Sequence, residues 1–276
     1  MRIFKVFFIL TIFALSSASC NNFNKIQKSK DYEYKLTKAE EYYKSKKYRY
    51  AQQLFEELFP ILKGTQKFED LYYKYAYCFY YDQQYRDAES LFKGYLEVFP
   101  NSEKAEEVDY MRAYCFYKQS PKIELEQVNT LKTIGMMQTF INTHPGSLRI
   151  KEATDIIDKS RQKLELKDQR GAQLYYNIGE FRAAAIAFNE LLNSYPESIM
   201  GDAYKLMVLK SYYRFAKMSV ATKQEERFEK VIFEYQDFLD RFPDSKLIKQ
   251  AEEFSKLSIN QIKAIKNEQT SSTSKQ

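Results

Sequence analysis

Histidine occurs once in this chain of 276 residues, cysteine three times, glycine seven times and proline six times. A lone His144 leaves no second imidazole to activate a nucleophile, and no closely spaced cysteines accompany it as zinc ligands. So few glycines argue against an all-β or dinucleotide-binding chain, whose turns need them. No glycine-rich phosphate loop or Gly-x-Ser-x-Gly elbow is present. The acidic residues are many but scattered along helical patterns, as on solvated faces. No basic block is dense enough for nucleic acid, and the formal charge is only +6. These shortages predict a protein that is not an enzyme and holds no metal or free cofactor.

What the chain does have is aromatic, with 24 tyrosines and 21 phenylalanines. Four marks punctuate it: Phe99-Pro100-Asn101-Ser102, His144-Pro145-Gly146-Ser147, Tyr195-Pro196-Glu197-Ser198 and Phe242-Pro243-Asp244-Ser245. The ring packs the last helical turn, proline cannot continue the helix, and serine is a good N-cap for the next one. Between the marks, small and aromatic residues recur in pairs of helical patterns. Ala39 and Ala51, Ala76 and Ala88, and Ala172 and Ala184 are each twelve residues apart, followed by Phe55, Phe92 and Phe188. Tyr73-x-x-Ala76-Tyr77-Cys78-Phe79-Tyr80 returns 37 residues later as Tyr110-x-x-Ala113-Tyr114-Cys115-Phe116-Tyr117. Recurrence at such a period marks a stacked array. The pattern resembles the tetratricopeptide repeat and predicts an all-α fold, a right-handed α-solenoid of about five helix pairs over residues 33–262. The third pair is stretched through Ser120-Pro121, the fifth carries an insertion near Ser219–Glu226 and lacks a small residue on its first helix, and Pro60 should end or kink its helix early.

The two ends read differently. Arg2 and Lys5, an apolar stretch from Val6 to Leu15 and small residues from Ser16 to Ser19 form a secretory signal, residues 1–19, too short for a membrane span. It stops at Cys20, as in a bacterial lipobox, although Ser17 stands where that box has an aliphatic residue. Cys20 is therefore expected to carry the lipid anchor, the alternative being a plain secretory signal with an incidental cysteine. Loss of Arg2 and Lys5 leaves 41 basic against 37 acidic side chains, a charge of +4. Residues 20–32 read as a lipidated tether. Residues 21–50 hold nine Lys/Arg against four Asp/Glu, which fits a solvated arm, with attraction to anionic headgroups as the alternative. The stretch 263–276 ends in Ser, Thr, Gln and Lys and is expected to be disordered.

In such an array the first helix of each pair lines the concave face. Tyr73, Tyr77, Tyr80 and Tyr81 fall beside the core stripe, as do Tyr110, Tyr114 and Tyr117, and together they predict a tyrosine-lined peptide groove. Each ring has the alternative of packing between helices. Cys78 and Cys115 hold equivalent places in neighbouring repeats. Stacked helices stand roughly 8–10 Å apart, more than a disulfide spans, so buried free thiols are expected. His144 takes an aromatic's place in its mark and should pack as a cap.

Signal, Cys20 and degenerate repeats with Pro-x-Ser marks together resemble the BamD family, the lipoproteins of the outer-membrane β-barrel assembly machine. The stretch from Gly171 to Pro196 carries the closest likeness: a tyrosine-bearing helix, a short polar turn, then an Ala-Ala-rich helix ending in Tyr-Pro. The resemblance implies a periplasm-facing scaffold anchored in the outer membrane. Its N-terminal repeats would meet unfolded outer-membrane proteins, and its C-terminal repeats would dock on the insertase BamA beside other assembly-machine lipoproteins. Tyr175, Tyr176 and Arg182 are the docking candidates it implies. The competing reading is another tetratricopeptide lipoprotein, a scaffold in division, peptidoglycan or surface-export complexes.

Overall fold

The computed structural model describes residues 23–273. The signal segment and Cys20 lie outside the described residues. A short helical turn over residues 23–27 precedes α1 (Tyr32–Lys44), α2 (Tyr48–Leu62), α3 (Phe68–Tyr81), α4 (Tyr85–Val98), α5 (Ala105–Lys118), α6 (Val128–Thr143), α7 (Ile150–Asn177), α8 (Phe181–Ser194), α9 (Gly201–Lys217), α10 (Ala221–Arg241) and α11 (Ile248–Thr273). No strand occurs among the described residues. The protein is all-α and built of helix pairs. Contacts divide it into two compact units, one to Ser160 and one from Arg161, where the sequence predicts a single repeat domain. Repeats contact only their neighbours, so one continuous core is not required.

Short turns join the helices within three of the pairs, and they share one design. Lys46, Gln83 and Gly179 adopt φ of 59°, 64° and 89° just past a helix end. The next amide reaches back to the last helical turn: Lys47 N to Tyr42 O at 2.8 Å, Gln84 N to Phe79 O at 2.9 Å and Glu180 N to Tyr175 O at 2.9 Å. These are Schellman closures, which satisfy otherwise orphaned carbonyls. The closure also explains the twelve-residue alanine interval, because it brings Ala39 to Ala51, Ala76 to Ala88 and Ala172 to Ala184 at fixed register. All six alanines are buried.

The opposite end of four of the pairs is closed by the Pro-x-Ser mark, in a way that differs from the N-cap the sequence predicts. Phe99, His144, Tyr195 and Phe242 are C-caps, each with φ between −124° and −133°. His144 packs on the Phe140 ring at 4.9 Å, as expected of a cap. The serines, however, are not the N-caps of the following helices, which start three residues later. Each serine hydroxyl instead accepts the amide two residues on, at 3.0–3.1 Å from Lys104, Arg149, Met200 and Leu247. The same hydroxyl donates to a carboxylate on the first helix of its own pair. Ser102 reaches Glu69 at 2.6 Å, Ser147 reaches Glu106 at 2.5 Å, Ser245 reaches Asp202 at 2.6 Å, and Ser198 is bonded to Glu165. In the first pair, which has no such serine, Glu33 of α1 is held by Lys67.

Three irregular places resolve individually. The stretch after Lys118 is a loop organised by buried Gln127, whose Nε2 donates to the carbonyls of Lys122 at 2.7 Å and Leu125 at 2.9 Å. The expected insertion at Ser219–Glu226 is mostly the start of the long helix α10. On α9 the small residue is absent, as the sequence predicts: the place seven residues past Asp202, held by Ala76 past Glu69 and by Ala113 past Glu106, is taken by buried Leu209. Helix α2 runs through Pro60 and stops two residues later at Leu62, so the early end is modest.

Both expected flexible ends are ordered where described. The tether reading of residues 20–32 fails from Phe23 onward. Phe23 and Ile26 are buried, with the Phe23 ring 4.7 Å from Tyr50 and 5.9 Å from Tyr42. An apolar pair three residues apart puts both side chains on one helical face. The residues expected to be disordered from 263 continue α11 to Thr273. Lysine, glutamate and glutamine there are good helix formers, propagation from an existing helix is cheap, and Lys266 pairs with Glu225 at 3.0 Å.

The core of the first unit is largely aromatic, with Phe55, Phe92, Tyr95, Tyr110 and Phe140 buried; Cys78 and Cys115 are buried free thiols within it. Burial pushes both thiols up, Cys115 to about 12, which leaves them protonated and inert at neutral pH. The second unit buries Phe188, Tyr204, Phe228 and Phe238. It also buries Lys205, whose ammonium is held by Glu234 and Asp237.

Two outcomes are expected. Gln83→Gly removes a left-handed non-glycine residue and should raise stability by about 1 kcal/mol, read as a higher melting temperature. The hydrogen bonds from Ser102 and Tyr95 hold the Glu69 carboxyl below its usual range. Its stabilising contribution is thus present above the unfolded carboxyl range and fades as pH falls through the folded value. Glu69→Gln should cost about 1 kcal/mol at pH 7 and close to nothing near pH 3, read by denaturant titration at both pH values.

Candidate functional site

On α3 the tyrosines at 73, 77, 80 and 81 follow helical spacing, and those at 110, 114 and 117 do so on α5. The structure brings both sets together as one run of rings. Tyr73 meets Tyr77 at 4.7 Å between centroids, Tyr77 meets Tyr81 at 5.6 Å, and Tyr80 crosses to Tyr114 at 6.3 Å. Tyr114 then contacts Tyr110 at 5.8 Å and Tyr117 at 5.6 Å. The run continues towards the N-terminus through two residues that the sequence reading left out. Tyr48 stacks on Tyr81 at 4.5 Å, and Tyr43 lies 6.5 Å from it. Tyr43 precedes Tyr80 by the same 37 residues that relate α3 to α5, so extending that offset backwards would have found it.

The rings are not equally available. Tyr77 and Tyr110 are buried in the core and back the surface without forming it. Tyr73 and Tyr77 both donate to Glu107, at 3.1 and 2.8 Å, and Lys104 sits 4.6 Å over the Tyr73 ring. Burial is the main cause that lifts the Tyr73 phenol to about 12 and Tyr77 further, so both remain neutral donors at physiological pH. A single carboxylate thereby fixes two rings of α3 against α5. Tyr81 is 44% exposed, and Tyr80, Tyr114 and Tyr117 are half-buried. All four lie in the last turn or so of α3 or α5, where the predicted groove becomes an accessible strip along the helix ends. Each offers an apolar ring and a hydroxyl, the combination that suits a chain with mixed side chains.

In the second unit the three docking candidates face three different hollows. Tyr175 lines a cleft of about 600 Å³ with a floor of small residues, Gly171, Ala172, Ala183 and Ala187, and exposed Ile186 at its wall. Arg182 lines another of about 600 Å³, whose wall carries Tyr212, Phe215 and Phe233 beside Arg227 and Lys230. Tyr176 belongs to a third, at the Gly179 turn, with its ring 5.2 Å from Phe181. They are therefore not one epitope. Among the described residues no group of three or more His, Cys, Asp or Glu side chains is arranged to hold a metal ion. No described helix is long and apolar enough to cross a membrane.

Comparison with known families decides the class. The family model described as YfiO, outer membrane lipoprotein, matches residues 28–227. The chain belongs to that family, the BamD family. No curated protein matches it. Two solved structures of repeat proteins are similar. One is a yeast Sti1 TPR2AB domain in a pHSP90 complex, 14% identical, covering 83% of this chain and 97% of that one, with a TM-score of 0.38. The other is a Podosopora anserina chain described as a kinesin light chain with nearly identical TPR-like repeats, 10% identical, covering 76% and 95%, with a TM-score of 0.32. Such scores are too low to bear on function, and the lipoprotein class rests on the family match alone.

The buried and exposed rings should respond differently to substitution. Tyr77→Phe removes one donor to Glu107 and should cost about 1 kcal/mol. Tyr77→Ala leaves a core cavity and should cost about 3–5 kcal/mol. Tyr117→Ala should cost under half of the latter, all three being read from denaturant midpoints.

Proposed function

We propose that this outer membrane lipoprotein is a periplasm-facing scaffold of the β-barrel assembly machine, held in the outer membrane by acylated Cys20. Its tyrosine strip receives segments of unfolded outer-membrane proteins, and its second unit docks on a BamA-like insertase. The observation that carries the reading is the unbroken ring run from Tyr48 through Tyr81 and Tyr80 to Tyr114 and Tyr117. An unfolded barrel strand alternates apolar and polar side chains, and a row of phenols serves both without demanding a particular sequence. The cleft with its alanine floor at Tyr175 and the cation-rich hollow at Arg182 offer the second unit two separate contact surfaces for a folded partner. No step of this function breaks or forms a covalent bond, and no side chain is assigned a catalytic role.

The test uses synthetic peptides copied from transmembrane strands of outer-membrane barrels. Tyr81→Ala combined with Tyr117→Ala should weaken their binding at least tenfold while the helical circular-dichroism signal stays unchanged. Peptide affinity that survives this double substitution would remove the strip from the account.

A further inference from the structure

The chain leaves the fold next to a lysine-rich turn. Phe23 is pinned between Tyr42, near the end of α1, and Tyr50, near the start of α2, so the backbone enters the first unit beside the α1–α2 turn. That turn exposes Lys44, Lys46 and Lys47, and none of the three stands in an ion pair among the described residues. Four carboxylates of the same helices are engaged elsewhere, Glu33 by Lys67, Glu40 by Lys74, Glu41 by Lys38 and Glu57 by Lys35, and exposed Glu56 of α2 pairs with none of the three lysines. Arg49 is taken by Asp82. Lys47 lies 5.9 Å from the ring of Tyr42, which is itself against Phe23, so the free charges and the chain's exit share one spot.

Cys20 precedes Phe23 by three residues, which span at most about 10 Å when extended. The headgroup layer on each side of a bilayer is roughly 5–8 Å deep. An acyl chain on Cys20 therefore leaves no length for a flexible stalk. We infer that the α1–α2 turn is a membrane-contact surface, with Lys44, Lys46 and Lys47 seated among anionic phospholipid headgroups. This rests on Cys20 being the anchor. Each lysine near such a surface is worth roughly fivefold in partitioning, so three together reach on the order of a hundredfold. Tyr48, the first residue of α2, is also the first ring of the accessible strip, which then begins at the bilayer.

The decisive measurement needs no anchor. Protein carrying Cys20→Ser is mixed with vesicles of phosphatidylcholine, with and without about one third phosphatidylglycerol. It should sediment with the anionic vesicles at low salt, release at high salt, and ignore pure phosphatidylcholine. Lys44→Gln, Lys46→Gln and Lys47→Gln together should lower partitioning at least tenfold with unchanged helicity. Equal partitioning of that variant, or equal binding to neutral vesicles, would overturn the inference. In the acylated protein, a fluorophore at Lys46→Cys should be quenched by a headgroup-borne quencher and one at Glu103→Cys should not; the reverse order would also overturn it. Acylation of Cys20 is read separately by intact mass. Its absence would remove the anchor, while the Cys20→Ser partitioning still decides whether the lysine turn binds the bilayer.

Discussion

A serine hydroxyl bonded to a carboxylate closes four of the helix pairs, and the geometry of each pair follows from it. The bond joins the end of a second helix to its partner's first helix: Ser102 to Glu69, Ser147 to Glu106, Ser198 to Glu165 and Ser245 to Asp202. Glu69, Glu106 and Asp202 are each the second residue of their helix, where a negative charge also meets the positive end of the helix dipole. Two of these four, α3–α4 and α7–α8, are fixed at their other end by a Schellman closure, while the first pair has the closure without the serine. With its ends tied, such a pair can bury a plain alanine stripe and still hold register. In the third and fifth pairs the serine bond remains while the short turn is replaced by a longer loop or a longer helix.

Much of this was legible in the sequence, and the failures have one physical root. Periodicity reported the helices, the alanine interval and the pairing because those depend on neighbours a few residues apart. Local sequence reads the serine as an N-cap, because its acceptor stands 33 to 43 residues away and nothing local points to it. Helical spacing places Tyr77 and Tyr110 beside the core stripe and so predicts them in a groove. Only the second layer of packing shows that Glu107 and Phe140 close over them. Polar composition suggested a loose tether and tail. Two apolar residues, Phe23 and Ile26, suffice to fix the first, and helix propagation accounts for the second.

The accessible rings of the first unit lie at the ends of its helices. Lysines of the α1–α2 turn, the stacked pair Tyr48 and Tyr81, and the half-buried rings through Tyr117 follow one another along that edge. In the proposed scaffold role, an edge of this kind would put substrate contacts beside the anchor. The second unit keeps exposed apolar and cationic groups in clefts of their own, the surfaces the proposed docking would use.

The central claim is a division of labour between the two units, and site-specific photo-crosslinking in living cells tests it most directly. A photoreactive residue at position 117 should capture unfolded outer-membrane proteins, and one at position 186, in the Tyr175 cleft, should capture the barrel insertase. Capture of only division or peptidoglycan proteins at both positions would contradict the account.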